Sequence, residues 1–562
     1  MRRAIKRTAA LSIATLLLAC SCQTTPQSLK QLATDQTLRV PIRAEPRAGG
    51  TSLDPARIVG PVETTIGQNI FSGLYRYDDQ MREQADIADG MPMVSSDGKI
   101  YTFRLRHDVR FWNGERVTAD DVVYSWNRAA AAQGDWAASV FHPIVGYDAV
   151  AGAGVSRLAG LSTPDPYTVV AQLSAPSGYW LATLVLPAAW VVNRTAIEQG
   201  GPERWWTNPD GLVGTGPFRL TSWTHNGELD FAAVPNWWDG GTGTLKRVEL
   251  HVDPDPGTRW KGYADGRYDL LEVPNLASTE TADLAAWRSD PGRRSEVHTW
   301  AFGTTSWIGF NLQSGPFAGF DQGTLLRKAF SQAIDRQKLA QAVCQGGTIC
   351  VPATGGLVAK GLHGYLGDGA DPTAKFDPAV ARATVKRLDP DGSLVRNLSF
   401  YYTIGTDDPG QVVAENLAAQ WSANLGVNVA IKGLDPNTYF NDLTNGRFTM
   451  WRGGWQADYD HPQDWFDFLF INNSGCGQAF CNSAGAIYDR PGYAARIASA
   501  DQQPLADALP AYLNAGQMLV NDAALGVLYY VVRTAVVKPY VNGYGANALW
   551  ENRWTSIRIL QH

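Results

Sequence analysis

The hydrophobic positions of this 562-residue chain switch between strand-like and helix-like spacing from about residue 38 onward. Alternating apolar residues predict strands at 38–43 and 101–105. Apolar residues three and four positions apart predict helices at 325–344 and 412–421, and a further strand is predicted at 427–431. No internal repeat interrupts this mixture, which argues against a solenoid. The pattern therefore predicts α/β lobes.

The N-terminus has a different pattern. Residues 1–19 carry four basic side chains near their start and an apolar run at 9–19, which is too short to span a bilayer and is typical of a signal peptide. The letters LLAC that end at Cys20 resemble the bacterial lipobox, which implies cleavage before Cys20 and a diacylglycerol group on its sulfur. An ordinary secretory signal cut near Ser21 is the alternative, and Cys22 is a second candidate for lipidation.

Residues 20–37 are rich in Gln, Thr, Ser and Pro and show no apolar period, as expected of a flexible tether. No later apolar stretch is long enough to cross a membrane, so we expect an extracytoplasmic body whose only membrane contact is the lipid anchor. The signal holds four basic and no acidic residues, so its removal changes the net charge from −6 to −10. This acidic balance argues against nucleic acid as a partner. The remaining length exceeds what one core usually organises, so two or more lobes are expected.

Four further cysteines form two close pairs, Cys344 with Cys350 and Cys476 with Cys481. In an exported chain each pair is typical of a local disulfide that holds a loop. A four-thiolate zinc site is the alternative, although neither pair has the two-residue spacing that such sites favour.

An ordered set of motifs, distributed over nearly the whole mature chain, resembles the peptide/nickel group of ABC-transporter solute-binding proteins, and especially its oligopeptide-binding members. The motifs are SLDP at 52–55, IFSGL at 70–74, SDGK at 96–99, YTFRLR at 101–106, FWNG at 111–114, TADDV at 118–122, GTGPF at 214–218, NWW at 236–238, DGRYD at 265–269, FN at 310–311, AIDR at 333–336, GGWQADY at 453–459 and KPYV at 538–541. Most of them predict turns and caps, as at Asp97-Gly98 and Thr118, and identify the fold rather than a ligand contact.

The resemblance implies a two-lobed α/β fold of the periplasmic-binding-protein type (class II, large peptide-binding type). It places the discontinuous first lobe at 38–74, 208–302 and 527–562, an extra subdomain at 75–207, and the second lobe at 303–526. Ligand would lie between the lobes, which close by hinge rotation, and the closed form would be recognised by ABC permease subunits with their ATPases. The resemblance also implies a monomer that needs no cofactor.

A free peptide offers an ammonium, a carboxylate and a row of backbone donors and acceptors, so a cleft that accepts many sequences should hold these shared groups. The segment 450–459 contains Gly453 and Gly454, and glycine permits close approach of a second backbone. Trp455, Gln456 and Tyr459 follow and could line side-chain pockets, while core positions are the alternative for the aromatic pair.

Asp458 matches the aspartate with which peptide-binding members hold the ligand's α-amino group. A carboxylate in a closed cleft needs a partner, and a buried ammonium offsets a desolvation cost that neither charge recovers alone. The alternative is a cap of the turn before His461. The neighbouring Asp460, Asp464 and Asp467 fit no calcium loop by their spacing, and a solvated acidic loop is expected there.

Arg452 stands where oligopeptide-binding members have an arginine for the carboxylate of tri- or tetrapeptides, and a structural salt bridge is the alternative. A histidine that helps hold tetrapeptides in enterobacterial members is replaced here by Gly410, so ligand length stays open. Gly60, Pro61 and Val62 fall where the family's peptide-pairing backbone runs in the opposite lobe. Pro61 lacks an amide hydrogen, so contact there would use carbonyls only or a different register.

Other function classes receive less support from the sequence. The eight histidines show no zinc-protease pattern, and neither a nucleophile elbow nor a phosphate loop is present, so catalysis is not indicated. Within the resembling family a haem, an oligosaccharide or a nickel complex is an alternative ligand. A sensor or adhesin that keeps the fold without serving a transporter also remains open.

Overall fold

The computed structural model describes residues 31–46, 52–241, 243–273, 280–344, 347–405, 409–471, 488–549 and 552–562. The strands are β1 (Thr37–Ile42), β2 (Tyr75–Tyr77), β3 (Glu83–Ala85), β4 (Met93–Val94), β5 (Ile100–Arg104), β6 (Leu161–Asp165), β7 (Thr168–Gln172), β8 (Phe218–Thr224), β9 (Glu228–Ala233), β10 (Arg247–Val252), β11 (Leu270–Val273), β12 (Val297–Phe310), β13 (Cys350–Pro352), β14 (Ser399–Thr403), β15 (Ala430–Leu434), β16 (Met450–Gln456), β17 (Leu525–Val537), β18 (Val541–Asn542) and β19 (Arg558–Ile559). The helices are α1 (Pro61–Ile70), α2 (Ala119–Ala132), α3 (Ala137–Phe141), α4 (Tyr147–Ala153), α5 (Trp180–Thr183), α6 (Arg194–Gly200), α7 (Pro256–Ala264), α8 (Glu280–Ser289), α9 (Gln322–Gln332), α10 (Arg336–Val343), α11 (Pro378–Leu388), α12 (Gly410–Leu425), α13 (Pro436–Thr444), α14 (Gln463–Phe466), α15 (Tyr493–Ala500) and α16 (Leu505–Asn521).

Three larger sheets organise these elements. The first has the order β1-β10-β9-β8, and the second, within the segment 93–172, has the order β4-β5-β7-β6. The third has the order β11-β17-β12-β16-β14-β15, with β13 also paired to β17. Its two long antiparallel strands, β12 and β17, connect the part of the sheet next to β1 with the part formed by β16, β14 and β15. The α/β class predicted from hydrophobic spacing is confirmed.

The predicted elements are mostly present, with shifted ends. β1, β5 and α12 coincide with predicted elements to within a few residues, whereas the predicted helix at 325–344 is two helices, α9 and α10. The break is at Asp335, whose carboxylate accepts hydrogen bonds from the backbone amides of Gln337 and Lys338 and so begins a new helix. The strand predicted at 427–431 is wrong in its position, because the hydrogen-bonded strand is β15, three residues later.

Several motif residues have structural roles. Asp54 accepts a hydrogen bond of 2.8 Å from Arg128 Nη1, which connects the start of the chain to α2. Asp121 accepts a hydrogen bond from the backbone amide of Thr118 at the start of α2. Gly98 has a φ of 69° in the hairpin between β4 and β5, a backbone conformation that glycine adopts without strain. These contacts position the elements of the fold.

The C-terminal segment packs against the N-terminal strand. The Gln36 side chain donates to the Ile559 carbonyl at 2.7 Å and accepts from the Ile559 amide at 3.0 Å. This contact supports a first lobe that includes the end of the chain. The domain boundaries given above stay a prediction.

Candidate functional site

A cavity of about 820 Å³ lies between the first sheet with α1 and the third sheet. One wall comes from β1, from the start of α1 and from the C-terminal segment near Trp554. The opposite wall comes from β16 and the loop after it, and the floor comes from β12 and β17. Ligand pockets of small-molecule size fall in this volume range. The cavity therefore has the size and the position expected of an interlobe ligand site.

The floor of the cavity is irregular because the two long strands separate there. Ala301 is opposite Val532 and Thr305 is opposite Tyr530, so the three residues 302–304 of β12 face a single residue, Val531, of β17. Such a bulge turns side chains away from regular pairing. Phe302 and Thr304 consequently line the cavity.

Asp458 lines the wall formed by the loop after β16. Its carboxylate accepts a side-chain hydrogen bond from Trp136, which belongs to the segment 75–207 across the cleft. Burial raises the pKa of Asp458 to about 7, the hydrogen bond from Trp136 lowers it, and the nearby Asp135 raises it. Within the described residues, no lysine, arginine or histidine forms an ion pair with this carboxylate. Asp458 is therefore a half-buried acid that lacks a cationic partner within the described part of the chain.

The acidic residues after Asp458 do not form the solvated loop expected from the sequence, and that expectation is wrong. Asp460 and Asp464 are 5% and 2% exposed. Asp464 Oδ2 accepts hydrogen bonds from the Asp458 amide at 3.2 Å and from Trp455 Nε1 at 3.1 Å. Burial, followed by the proximity of Asp458, raises the pKa of Asp464 well above its usual range. The charge on Asp458 thus disfavours ionisation of the buried Asp464 carboxyl.

Asp460 contributes to contacts between segments. Its Oδ1 accepts from the His363 amide at 2.8 Å, and its Oδ2 lies 2.9 Å from His363 Nδ1. Its own amide donates to Tyr77 OH at 3.1 Å, which joins the loop to the segment 75–207. Asp467 accepts from Gln463 Nε2 at 3.2 Å. His461 is buried beside the Tyr512 ring. These acids serve the packing of the loop that holds Asp458.

Strand β16 presents alternate residues to the cavity. Arg452, Gly454 and Gln456 line the cavity, as does the intervening Trp455. A Cβ at Gly454 would meet only the Thr305 carbonyl oxygen, at 3.5 Å, so the backbone at this position is accessible. Gly453 differs, because a Cβ there would lie 2.0 Å from Trp307 Nε1. Of the two glycines, Gly454 leaves room for a ligand, and Gly453 leaves room for the indole of the core.

The segment 60–62 has a different backbone from the extended edge expected in the opposite lobe. Gly60 precedes α1 as its N-cap, and Pro61 occupies the first turn, where a missing amide hydrogen has no cost. Pro61 and Val62 line the cavity, whereas Gly60 is outside its lining. Residues 61 and 62 begin a helix and so present no extended edge, and the predicted ligand contact at 60–62 stays a prediction. Pro61 and Val62 contribute apolar surface instead.

Tyr459 is a core residue in this structure. It is 4% exposed, its hydroxyl donates to Gln463 Oε1, and it is outside the cavity lining. The alternative of a core position, open in the sequence, holds for this residue.

A polar group on the floor of the cavity was not predicted from the sequence. Arg533 on β17 donates from Nη2 to Glu272 Oε1 at 2.6 Å, and Tyr544 OH donates to the same oxygen at 2.7 Å. Arg533 and Glu272 both line the cavity, as do Thr304 and Thr305. Arg533 lies inside an apolar run and Glu272 is 261 positions away, so no local signal in the sequence joins them.

One of the two predicted disulfides lies within the described residues. Cys344 and Cys350 are bonded, with their Cα atoms 4.8 Å apart. Cys476 and Cys481, and the predicted lipidation site Cys20, lie outside the described residues.

One cluster among the described residues has the composition of a metal site. Glu228, Glu249 and His251 lie together on β9 and β10. Glu249 also contacts Arg39 at 3.5 Å and Arg247 at 3.3 Å. Because these guanidinium groups already neutralise the carboxylate, the cluster is an ion-pair network on the outer surface of the first sheet.

The comparisons with known proteins agree with this architecture. The family model of bacterial extracellular solute-binding proteins, family 5, matches residues 84–475. The periplasmic oligopeptide-binding protein OppA of Salmonella typhimurium is 27% identical over 98% of both chains. The periplasmic murein peptide-binding protein MppA of Escherichia coli is 26% identical over 92% of this chain and 91% of its own. The unliganded open form of MppA superposes with a TM-score of 0.79 at 24% identity, covering 95% of this chain and 99% of that one.

The chain therefore belongs to the family 5 extracellular solute-binding proteins, and its fold is the two-lobed periplasmic binding fold expected from the motifs. In the part of the chain that the structure describes, no helix is both long enough and apolar enough to cross a membrane.

Proposed function

We propose that this protein captures short peptides in the interlobe cavity by their N-terminal ammonium and delivers them to the permease of an ABC importer. The proposal rests on one observation, the half-buried carboxylate of Asp458 in the cavity wall without a cationic partner among the described residues. A peptide ammonium would supply that partner and recover the desolvation cost of the carboxylate. The oligopeptide- and murein-peptide-binding names of the relatives support the same class of ligand.

The arrangement along β16 supports the orientation of the ligand. Arg452 and Asp458 are six positions apart and both line the cavity, so an extended segment between them spans at most about 20 Å. The two side chains themselves take up part of this span. A peptide of roughly three to five residues would fill it at ~3.3 Å per residue. The accessible backbone at Gly454 lies between the two charges and is suited to pairing with the main chain of the peptide.

Calorimetric titration with tri-alanine and with its N-acetylated form tests the ammonium clamp. We expect acetylation and the substitution Asp458→Asn each to weaken binding at least tenfold, because either change removes one charge of a buried pair. Asp507→Asn, an exposed carboxylate at the start of α16, is the matched control and should bind as the unchanged protein does. Equal affinity for the free and the acetylated peptide would refute the clamp.

We also propose that the mature protein is a monomer held by a diacylglycerol group on Cys20 at the outer face of the cytoplasmic membrane or in the periplasm. The lipobox-like letters before Cys20 support this anchor. Fractionation of cells that express the full chain should place it with membranes, and Cys20→Ala should release it. Retention of the Cys20→Ala protein on membranes would contradict the anchor.

A further inference from the structure

The floor of the cavity holds a cationic group that the ammonium clamp and Arg452 do not use. Arg533 is 9% exposed and lines the cavity. Its Nη2 is bonded to Glu272, but its Nη1 is buried and has no hydrogen-bond partner among the described residues. A guanidinium group has five N–H donors in a planar fork, so one carboxylate does not satisfy it.

Two hydroxyl groups on the same floor share this property. Thr304 Oγ1 and Thr305 Oγ1 are buried and have no partner in the described part of the chain, and both residues line the cavity. A buried polar atom without a partner has a free-energy cost, and such atoms in a cavity are the ones that a ligand satisfies. Hydrogen bonds to polar atoms of a ligand would remove this cost.

Charged side chains of both signs line the cavity, namely Arg43, Arg259, Arg452 and Arg533 with the two acids Glu272 and Asp458. Arg43, Arg259 and Arg452 have further partners. The donor that a ligand carboxylate would satisfy is therefore Arg533 Nη1.

Strand register locates Arg533 relative to the proposed peptide. Arg452 is opposite Ile308 of β12, the Ala457 amide donates to the Gly303 carbonyl, and Arg533 is opposite Trp300. Along β12, the order of the opposite residues is therefore Arg452, the loop with Asp458, and then Arg533. Arg533 lies three residues of β12, or about 10 Å, beyond the level of Asp458. The side chain of Arg533 and a glutamate side chain of a bound peptide are together long enough to cover this distance.

We propose that Arg533 Nη1 forms a second anion subsite of the cleft, which binds a side-chain carboxylate at the first or second residue of the peptide. This inference rests on the proposed function and specifies its cargo as acidic peptides. Glu272 holds the guanidinium through Nη2, and Tyr544 donates to the same carboxylate oxygen, so that the ligand carboxylate would bind at Nη1.

Binding of matched peptides tests the subsite. The peptides are tri-alanine and its variants with Glu or Gln at position one, two or three, so that each pair differs by one charge at constant size. With the unchanged protein we expect Glu to bind about tenfold more tightly than Gln at position one or two, and equally at position three. Equal affinity for Glu and Gln at both of the first two positions would overturn the inference while leaving the proposed function intact. Failure of every peptide, tri-alanine included, would overturn the proposed function and the inference together.

Substitutions of Arg533 and of Glu272 distinguish a specific carboxylate subsite from a general effect of positive charge. Arg533→Gln should reduce the Glu/Gln ratio to about one, whereas Glu272→Gln should increase the ratio because it releases further donors of Arg533. The control Arg219→Gln removes one exposed positive charge on β8, outside the cavity, and should preserve the ratio. If Arg533→Gln does not fold, the double variant with Glu272→Gln leaves no unpaired charge and should show the same loss of preference. A preference for Glu that persists without Arg533 would overturn the inference.

Discussion

The affinity of this protein for a peptide should depend on pH in a way that the environment of Asp458 determines. In the ligand-free protein burial raises the pKa of Asp458 from its ordinary value of 3.8 to about 7. An ammonium next to the carboxylate favours the charged form, so the pKa falls on binding. Below pH 7 the free protein therefore carries a proton that binding must expel. The affinity decreases as the pH falls through 7.

The magnitude follows from the fraction of ionised Asp458. That fraction is about 90% at pH 8, about 10% at pH 6 and about 1% at pH 5 when the pKa is 7. The intrinsic affinity for an ammonium should therefore decrease about 90-fold from pH 8 to pH 5, or about 2.7 kcal/mol. The peptide amine has a pKa of about 7.7 to 8.0, so it loses its charge at the upper end. Observed affinity should accordingly be highest slightly above pH 7.

Calorimetry in buffers of different ionisation enthalpy measures the proton count directly. At pH 6 binding should release about 0.9 proton, from Asp458, and at pH 8 it should take up about half a proton, onto the peptide amine. Asp458→Asn should abolish the release at pH 6 and keep the uptake at pH 8. Proton uptake at pH 6, or an affinity that does not change between pH 5 and 7, would refute the reasoning.

Three further outcomes follow from the same structure. Asp458→Asn should raise the Tm of the ligand-free protein at pH 8 and increase its unfolding free energy by roughly 1 kcal/mol or more. The reason is that a carboxylate whose pKa is raised by folding destabilises the folded protein at any pH above its ordinary pKa. An unchanged Tm in thermal scans would contradict this. Gly454→Val should fold with little loss of stability and bind tri-alanine at least tenfold more weakly. Gly453→Ala should instead lose about 1 to 3 kcal/mol of unfolding free energy in denaturant titrations, because its Cβ would overlap Trp307. The reverse pattern would show that the roles of the two glycines had been assigned wrongly. Replacing Cys344 and Cys350 together by serine should lower the unfolding free energy by about 2 kcal/mol, the value for a short closed loop. Equal stability of the variant and the unchanged protein would mean that the disulfide does not stabilise the fold.

The sequence predicted the fold well because its information is local and repeated. Hydrophobic spacing located β1, β5 and α12, and the ordered motifs identified the family. The break between α9 and α10 could have been predicted, since an aspartate such as Asp335 directly before a helical segment is a typical N-cap. The displaced β15 was not, because Val427 and Val429 are buried although they precede the hydrogen-bonded strand. Burial and strand pairing are different properties, and apolar alternation reports only the first.

The site was harder to predict because it depends on contacts distant in sequence. Polarity suggested solvent exposure for Asp460 and Asp464, and only the packed loop shows that both are buried. The Arg533 and Glu272 pair joins β17 to β11, which no spacing rule connects. Asp458, Arg452 and Gly454 were found through the motif at 453–459 and its neighbours, and the structure places all three at the cavity.

The bond between Cys344 and Cys350 matters for how the protein is produced. Cys350 begins β13 and is opposite Val531, the residue at which β12 and β17 part on the cavity floor. At Val531 the backbone of β17 thus pairs with β13 on one edge only. The disulfide between Cys344 and Cys350 restrains β13 in this position. Material made in a reducing cytosol lacks this restraint. Such preparations should be oxidised, and their thiols counted, before any affinity is compared with that of secreted protein.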